Sequence, residues 1–156
     1  SGNIAINIDP KKNKFPKATS SFHDIYGGVP SSANDGKIIY RATPTNRWTS
    51  YGSPNSIRDW LEIDFGEEKE FSRAVLHIYD DRGGVQAPKS YTLNYWDKET
   101  WKEIPNQKKT PLKPKGSAAN YVVFNKIKSN KLRIIFEHIG KGNTRSGLTE
   151  LEVWDN

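Results

Sequence analysis

The chain has 156 residues, 24 of them Lys or Arg against 18 Asp or Glu, which leaves a net charge of +6. That length supports one compact domain with its own core, and five Trp, seven Tyr and six Phe supply large buried areas that exclude a disordered chain. Cysteine is absent, which excludes disulfides and thiolate zinc sites, and no apolar run approaches the roughly 20 residues of a membrane helix.

Taken in order, the first fifty or so residues are poor in strand signals. Ser1-Gly2 reads as a vector-derived scar. The stretches "GGVPSSANDG" and "YGSPNS" carry turn chemistry, and long loops in a compact domain are usually functional. The first alternating run is "WLEIDF", with Leu61, Ile63 and Phe65 on one face and Glu62 and Asp64 on the other. "GEEKE" reads as a turn, and an apolar run follows over residues 71–79. That run breaks at "IYDDRGGVQAP" and resumes at "SYTLNYW", where Tyr91, Leu93 and Tyr95 oppose Thr92, Asn94 and Trp96.

From Asn106 to Arg133 there is no acidic residue, against Lys108, Lys109, Lys113, Lys115, Lys126, Lys128, Lys131 and Arg133. A solvated basic edge is the first reading and an acidic polymer partner the second. Lysine dominates without arginine and aromatic residues interleaved, which argues against nucleic acid. Past "TPLKPKGS", residues 121–124 and "KLRIIFEHI" form further runs, the latter with Leu132, Ile134 and Phe136 on one side. After "GKGNTRSG", the closing "LTELEVW" sets Leu151 and Val153 against Glu150 and Glu152. No segment has helical periodicity. Many short strands with Gly and Pro between them predict an all-β domain over 1–156, an antiparallel sandwich or barrel.

Catalysis finds little support. Asp80 and Asp81 are adjacent, so in an extended chain they point to opposite faces, whereas a glycosidase pair must flank one bond at about 5–9.5 Å. His23, His77 and His138 lack metal-ligand spacing. His77 and His138 fall in strands and read as structural, and His23 lies in a loop and stays a site candidate. "GKGNTRSG" lacks the spacing and context of a nucleotide loop, and no G-x-S-x-G elbow is present.

Eight stretches in order resemble one family: "NIA" at Asn3, "ATSSF" at Ala18, "ANDG" at Ala33, "NRWTS" at Asn46, "DWLEIDFG" at Asp59, "SYTLNYWDKETW" at Ser90, "KLRIIFEH" at Lys131 and "GLTELEVW" at Gly147. They resemble the discoidin or coagulation factor V/VIII type C domain, which includes carbohydrate-binding module family 32. The resemblance implies an eight-stranded jelly-roll, galactose-binding-domain-like sandwich. It also implies a non-catalytic module of a secreted, periplasmic or cell-surface bacterial glycoside hydrolase, with a linked catalytic domain in the parent chain. "KIIYRATPTN" lengthens the connection from "NDG" to Trp48 relative to the family.

By resemblance, Arg82 and Gln86 in the loop after residues 74–79 are glycan contacts, and the last loop adds Asn143 and Arg145 but no aromatic. A sugar ring also needs an aromatic face. Phe22, Tyr26, Tyr40 and Tyr51 are available, and Tyr26 and Tyr40 are preferred because their loops are rich in Gly and polar residues. Trp48 is expected in the core. The resemblance also implies a structural calcium held by Asp35, Asn46 and Glu150. The rival expectations are a structural domain that binds no sugar, and a protein- or acidic-polymer-binding module. A membrane partner is not expected, because the loop tips are mainly Gly, Lys, Asn and Arg.

Overall fold

A computed structural model describes residues 2–156. Ser1, half of the expected scar, lies outside the described residues. The strands are β1 (Lys17–Ser20), β2 (Trp48–Thr49), β3 (Arg58–Ile78), β4 (Ser90–Trp96), β5 (Trp101–Glu103), β6 (Lys108–Thr110), β7 (Ala118–Glu137) and β8 (Gly147–Trp154), with one 3-10 turn over Pro30–Ala33.

All of the strand pairings are antiparallel. The first half of β3 lies between β1 and the second half of β7, and that part of β7 also pairs with β4, which pairs with β5. The second half of β3 lies between β8 and the first half of β7, with β2 beside β8 and β6 beside β7. These are the two layers of a sandwich, and the long strands β3 and β7 belong to both.

The alternation predicts which faces meet. Leu61, Ile63, Leu93, Leu132, Ile134 and Phe136 come from the first layer, and Ala74, Leu76, Val122, Leu151 and Val153 from the second; all are 0% exposed. Trp48 is buried among them, its ring 5.5 Å from that of Phe136.

One expectation fails here. "GEEKE" does not separate two strands. β3 runs through it, with its register slipping between Asp64 and Lys69. Gly66 sits at φ 79°, and a Cβ there would lie 2.6 Å from the Phe15 ring. An irregular, twisted stretch is how one strand crosses from one layer to the other. β7 likewise joins the two runs read as separate.

At one end of the sandwich Ile78 pairs with Ala118 and Leu148, and Glu137 pairs with Arg58 and Ser90. The loops 50–57, 79–89, 111–117 and 138–146 therefore emerge together. Loop 21–29 joins them through the Asp24 amide, which donates to the Thr49 carbonyl at 3.1 Å.

Candidate functional site

The loop 79–89 is shaped by its own aspartates. Asp80 accepts the Arg82 amide at 2.8 Å and the Ala87 amide at 3.1 Å. Asp81 accepts the Gly83 and Val85 amides at 2.8 and 3.1 Å. Both carboxylates thus stabilise a tight turn, in which Arg82 adopts a left-handed φ of 59°. The Gln86 side chain closes the same turn, donating to the Gly83 carbonyl at 3.0 Å. This engages its amide nitrogen inside the loop.

Arg145 ties three loops together. It is 6% exposed, and its Nε and Nη2 donate to the Ser53 carbonyl at 3.0 and 2.8 Å. Its Nη1 donates to the carbonyls of Gly142 and Thr144 at 3.2 and 3.1 Å. Its main chain bridges to Gly84 and Gln86 at 2.8 and 3.1 Å. A guanidinium has five N–H groups, so one at Nη2 remains.

Against this clamp lies a depression of about 280 Å³. Tyr26, 70% exposed, and Tyr51, 40% exposed, both line it and pack against each other, with ring centroids 6.2 Å apart and planes tilted by 47°. Tyr79 lines it as well, with the Arg47 guanidinium 4.4 Å from the centre of its ring. Burial pushes the Tyr79 phenol up, with Arg47 pulling it back and Asp81 and Asp80 adding to the rise. Arg47 donates from Nη1 to the Ala42 carbonyl at 2.7 Å, and its Nε is buried without a partner. Asp24 braces the wall by accepting the amides of Tyr26 and Gly28 at 2.8 Å each, and the Thr49 hydroxyl.

Gly84 sets the Tyr51 ring. A Cβ at Gly84 would meet Tyr51 Cε1 at 2.3 Å, so the ring rests against bare backbone. Tyr51 also borders a second depression of about 290 Å³, lined by Gly52, Ser53, Asn143 and Arg145 as well. Open aromatic faces beside a guanidinium, a phenol and a carboxylate suit a ligand with a C–H face and a hydroxylated rim.

The sequence-expected residues divide. Tyr26, Asn143 and Arg145 line these depressions. Arg82 and Gln86 stand beside the first, on the loop that supplies Asp81 and Gly84, outside its lining. His23 is exposed on the Tyr26 loop, also outside the lining. Tyr40 belongs elsewhere: its hydroxyl is 2.6 Å from His77 Nδ1, and His77 Nε2 is 2.5 Å from Glu152 Oε2, on the outer face of the second layer. Sequence reasoning missed Arg47 and Tyr79 and passed over Tyr51. A signal for Arg47 was present, since a core Trp48 directs its neighbour outward.

Asp35, Asn46 and Glu150 do converge. Glu150 is 1% exposed; its Oε2 accepts the Gly36 amide at 2.7 Å and its Oε1 has no partner. Asn46 Nδ2 lies 3.5 Å from Asp35 Oδ1. Burial lifts the Glu150 carboxyl to about 9, and the Asp35 carboxylate adds to the rise. Among the described residues no three His, Cys, Asp or Glu side chains group as metal ligands. A cation here would therefore draw on amide and carbonyl oxygens beside the two carboxylates.

The basic run is partly engaged within the chain. Lys109 reaches the Tyr91 carbonyl and lies 4.5 Å from the Tyr91 ring centre, where burial lowers its pKa. Lys126 pairs with Asp155 at 3.2 Å and Glu70 at 3.5 Å. Arg133 pairs with Glu62 at 2.6 Å.

A family model for the F5/8 type C domain matches residues 6–151. Among solved structures, the chain resembles one from a study of the multiple functions of the Streptococcus pneumoniae beta-galactosidase BgaA. The TM-score is 0.84 at 23% identity, over 97% of this chain and 98% of that one. It is similar to the fucose binding module SpX-3 of Streptococcus pneumoniae, with TM-score 0.70 at 16% identity over 100% and 99% of the two chains. It is also similar to chitosan-binding module 1 from a chitosanase/glucanase of Paenibacillus sp. IK-5, with TM-score 0.67 at 19% identity over 99% of each. At these identities the likeness establishes the fold, an antiparallel discoidin-like sandwich.

Proposed function

Because this chain belongs to the F5/8 type C domain family, we propose that it is a non-catalytic carbohydrate-binding module that docks glycan at the loop end of the sandwich. The observation that carries this reading is the open Tyr26–Tyr51 pair over a depression edged by Arg47, Tyr79 and Asp81. The aromatic faces take the C–H patch of a pyranose, and the Arg47 and Asp81 side chains read its hydroxyls. Fold neighbours bind chitosan, fucose and, in a family 32 module of Clostridium perfringens NanJ, galactose, which supports the assignment by class. The module serves a glycoside hydrolase that acts outside the cell. It holds the linked catalytic domain near its substrate through a weak, reversible contact that raises the effective concentration.

A glycan array probed with the wild-type domain and with Tyr51→Ala tests this. Binding to at least one glycan is expected, weakened about tenfold or more by the substitution, with the circular dichroism spectrum unchanged. Silence toward every glycan, or binding indifferent to Tyr51, overturns it.

We also propose a structural calcium ion held by Asp35, Asn46 and Glu150. Two neighbouring carboxylates, one of them buried with an orphaned oxygen, suit a cation that takes oxygen ligands. When bound, the ion supplies charge that fixes the 35–46 loop on β8. Calcium at 100 times its dissociation constant stabilises by about 2.7 kcal/mol, so melting with calcium and with EDTA should differ by several degrees. Identical melting curves overturn the calcium assignment.

A further inference from the structure

We propose that the binding site is a two-unit cleft with Tyr51 as its dividing ridge, so that the ligand class is an oligosaccharide of at least two sugars. This rests on the sugar-binding reading above and goes beyond it in assigning a second subsite. Tyr51 is the one residue that lines both depressions: Tyr26 and Tyr79 line the first, Asn143 and Arg145 the second. The two depressions are of similar size, about 280 and 290 Å³, so neither is a minor appendage of the other.

The chemistry on the two sides differs in a useful way. The first depression offers aromatic faces, which hold a ring without fixing it about its axis. The second offers no aromatic beyond Tyr51 itself. It has the exposed Asn143 amide, which can both donate and accept, and the one Arg145 N–H left over after four bonds to carbonyls. A linked sugar placed there is recognised by its hydroxyl pattern. The ridge is held in register for both units, because Tyr51 rests on Gly84 and the Arg145 main chain bonds to Gly84 and Gln86.

The test measures affinity against chain length. Calorimetry with galactose and GalNAc-β-1,3-galactose, and with glucosamine and chitotriose, follows an array carrying mono-, di- and trisaccharides of each sugar class, so that the series that binds is the one compared. The longer member of the binding series should bind about tenfold or more tighter than its monosaccharide. Asn143→Ala should cut that preference by about five- to tenfold, as expected for one lost polar contact. Asn143 is exposed, so the variant should fold, and a melting curve checks it. Equal affinity for a monosaccharide and its oligomer, or a length preference indifferent to Asn143→Ala, overturns the two-unit cleft while leaving sugar binding intact. Silence toward every glycan overturns sugar binding itself, and this inference with it.

Discussion

Arginine meets aromatic rings at several places on this molecule, and two of those surfaces finish in opposite states. On the outer face of the first layer the Arg133 guanidinium lies 3.8 Å from the Trp60 ring centre and 4.2 Å from that of Trp101. Its Nε and Nη2 both donate to Glu62 Oε1, at 3.1 and 2.6 Å, and Trp96 meets Trp101 at 5.4 Å with ring planes 62° apart. There the cation covers the rings and the carboxylate covers the cation. At the loop end Arg47 covers Tyr79 alone, while Tyr26 and Tyr51 stay 70% and 40% exposed. Aromatic content therefore does not mark a site by itself. Uncovered aromatic faces beside unpartnered polar atoms do.

The sharpest way to break this contrast is to remove the clamp that builds one side of it. Arg145→Ala leaves the carbonyls of Ser53, Gly142 and Thr144 without their donor. We expect a loss of about 3 kcal/mol in urea unfolding, with glycan affinity lost as the loops part. Next comes the opposite surface. Arg133→Ala uncouples Trp60 from Trp101 and strands the Glu62 carboxylate, at a cost of about 2 kcal/mol. Glycan affinity should stay as it was, and a fall in affinity with the fold intact would make the tryptophan face the site instead.

Much of the fold was readable because the sandwich buries one face of each strand. "WLEIDF", "SYTLNYW", "KLRIIFEHI" and "LTELEVW" announce their inner residues by alternation alone, and those residues lie in the core, except Tyr95, which is only partly buried against it. The continuity of β3 was hidden, since "GEEKE" has turn composition and only the three-dimensional path shows a strand changing layers around Gly66. The site was less legible. Tyr26 meets Tyr51 because the Asp24 amide bonds to Thr49, a contact between loops that carries no periodicity. Glu150 sits on the polar side of an alternating strand, yet it is 1% exposed, with the Gly36 amide bonded to its carboxylate. Only the family resemblance, not the pattern, brought it together with Asp35 and Asn46.

A smaller perturbation separates binding from stability. Gly84→Ala puts a methyl group where the Tyr51 ring rests. The ring is 40% exposed and can swing outward, so unfolding should change by less than about 1 kcal/mol. Displacing the ridge should nonetheless weaken glycan binding about tenfold, since a misplaced contact surface loses its complementarity. Unchanged affinity in titration calorimetry would mean that the position of Tyr51 does not matter to the ligand.

The smallest expected effect falls on Arg82, the residue that family resemblance favours most. Its guanidinium is exposed, its backbone is held by Asp80, and the cleft is lined by its neighbours Asp81 and Gly84. An exposed cation that is not fixed by packing loses side-chain entropy when it grips a ligand, so its net contribution is small. Arg82→Ala should thus change glycan affinity by no more than about twofold and stability by no more than about 0.5 kcal/mol, in the same calorimetric and urea measurements. A tenfold loss would show the ligand reaching over the 79–89 turn. In that case the two aspartates would be presenting Arg82 to the glycan, and the recognising arginine would be the solvent-exposed one, not Arg47 beside the tyrosines.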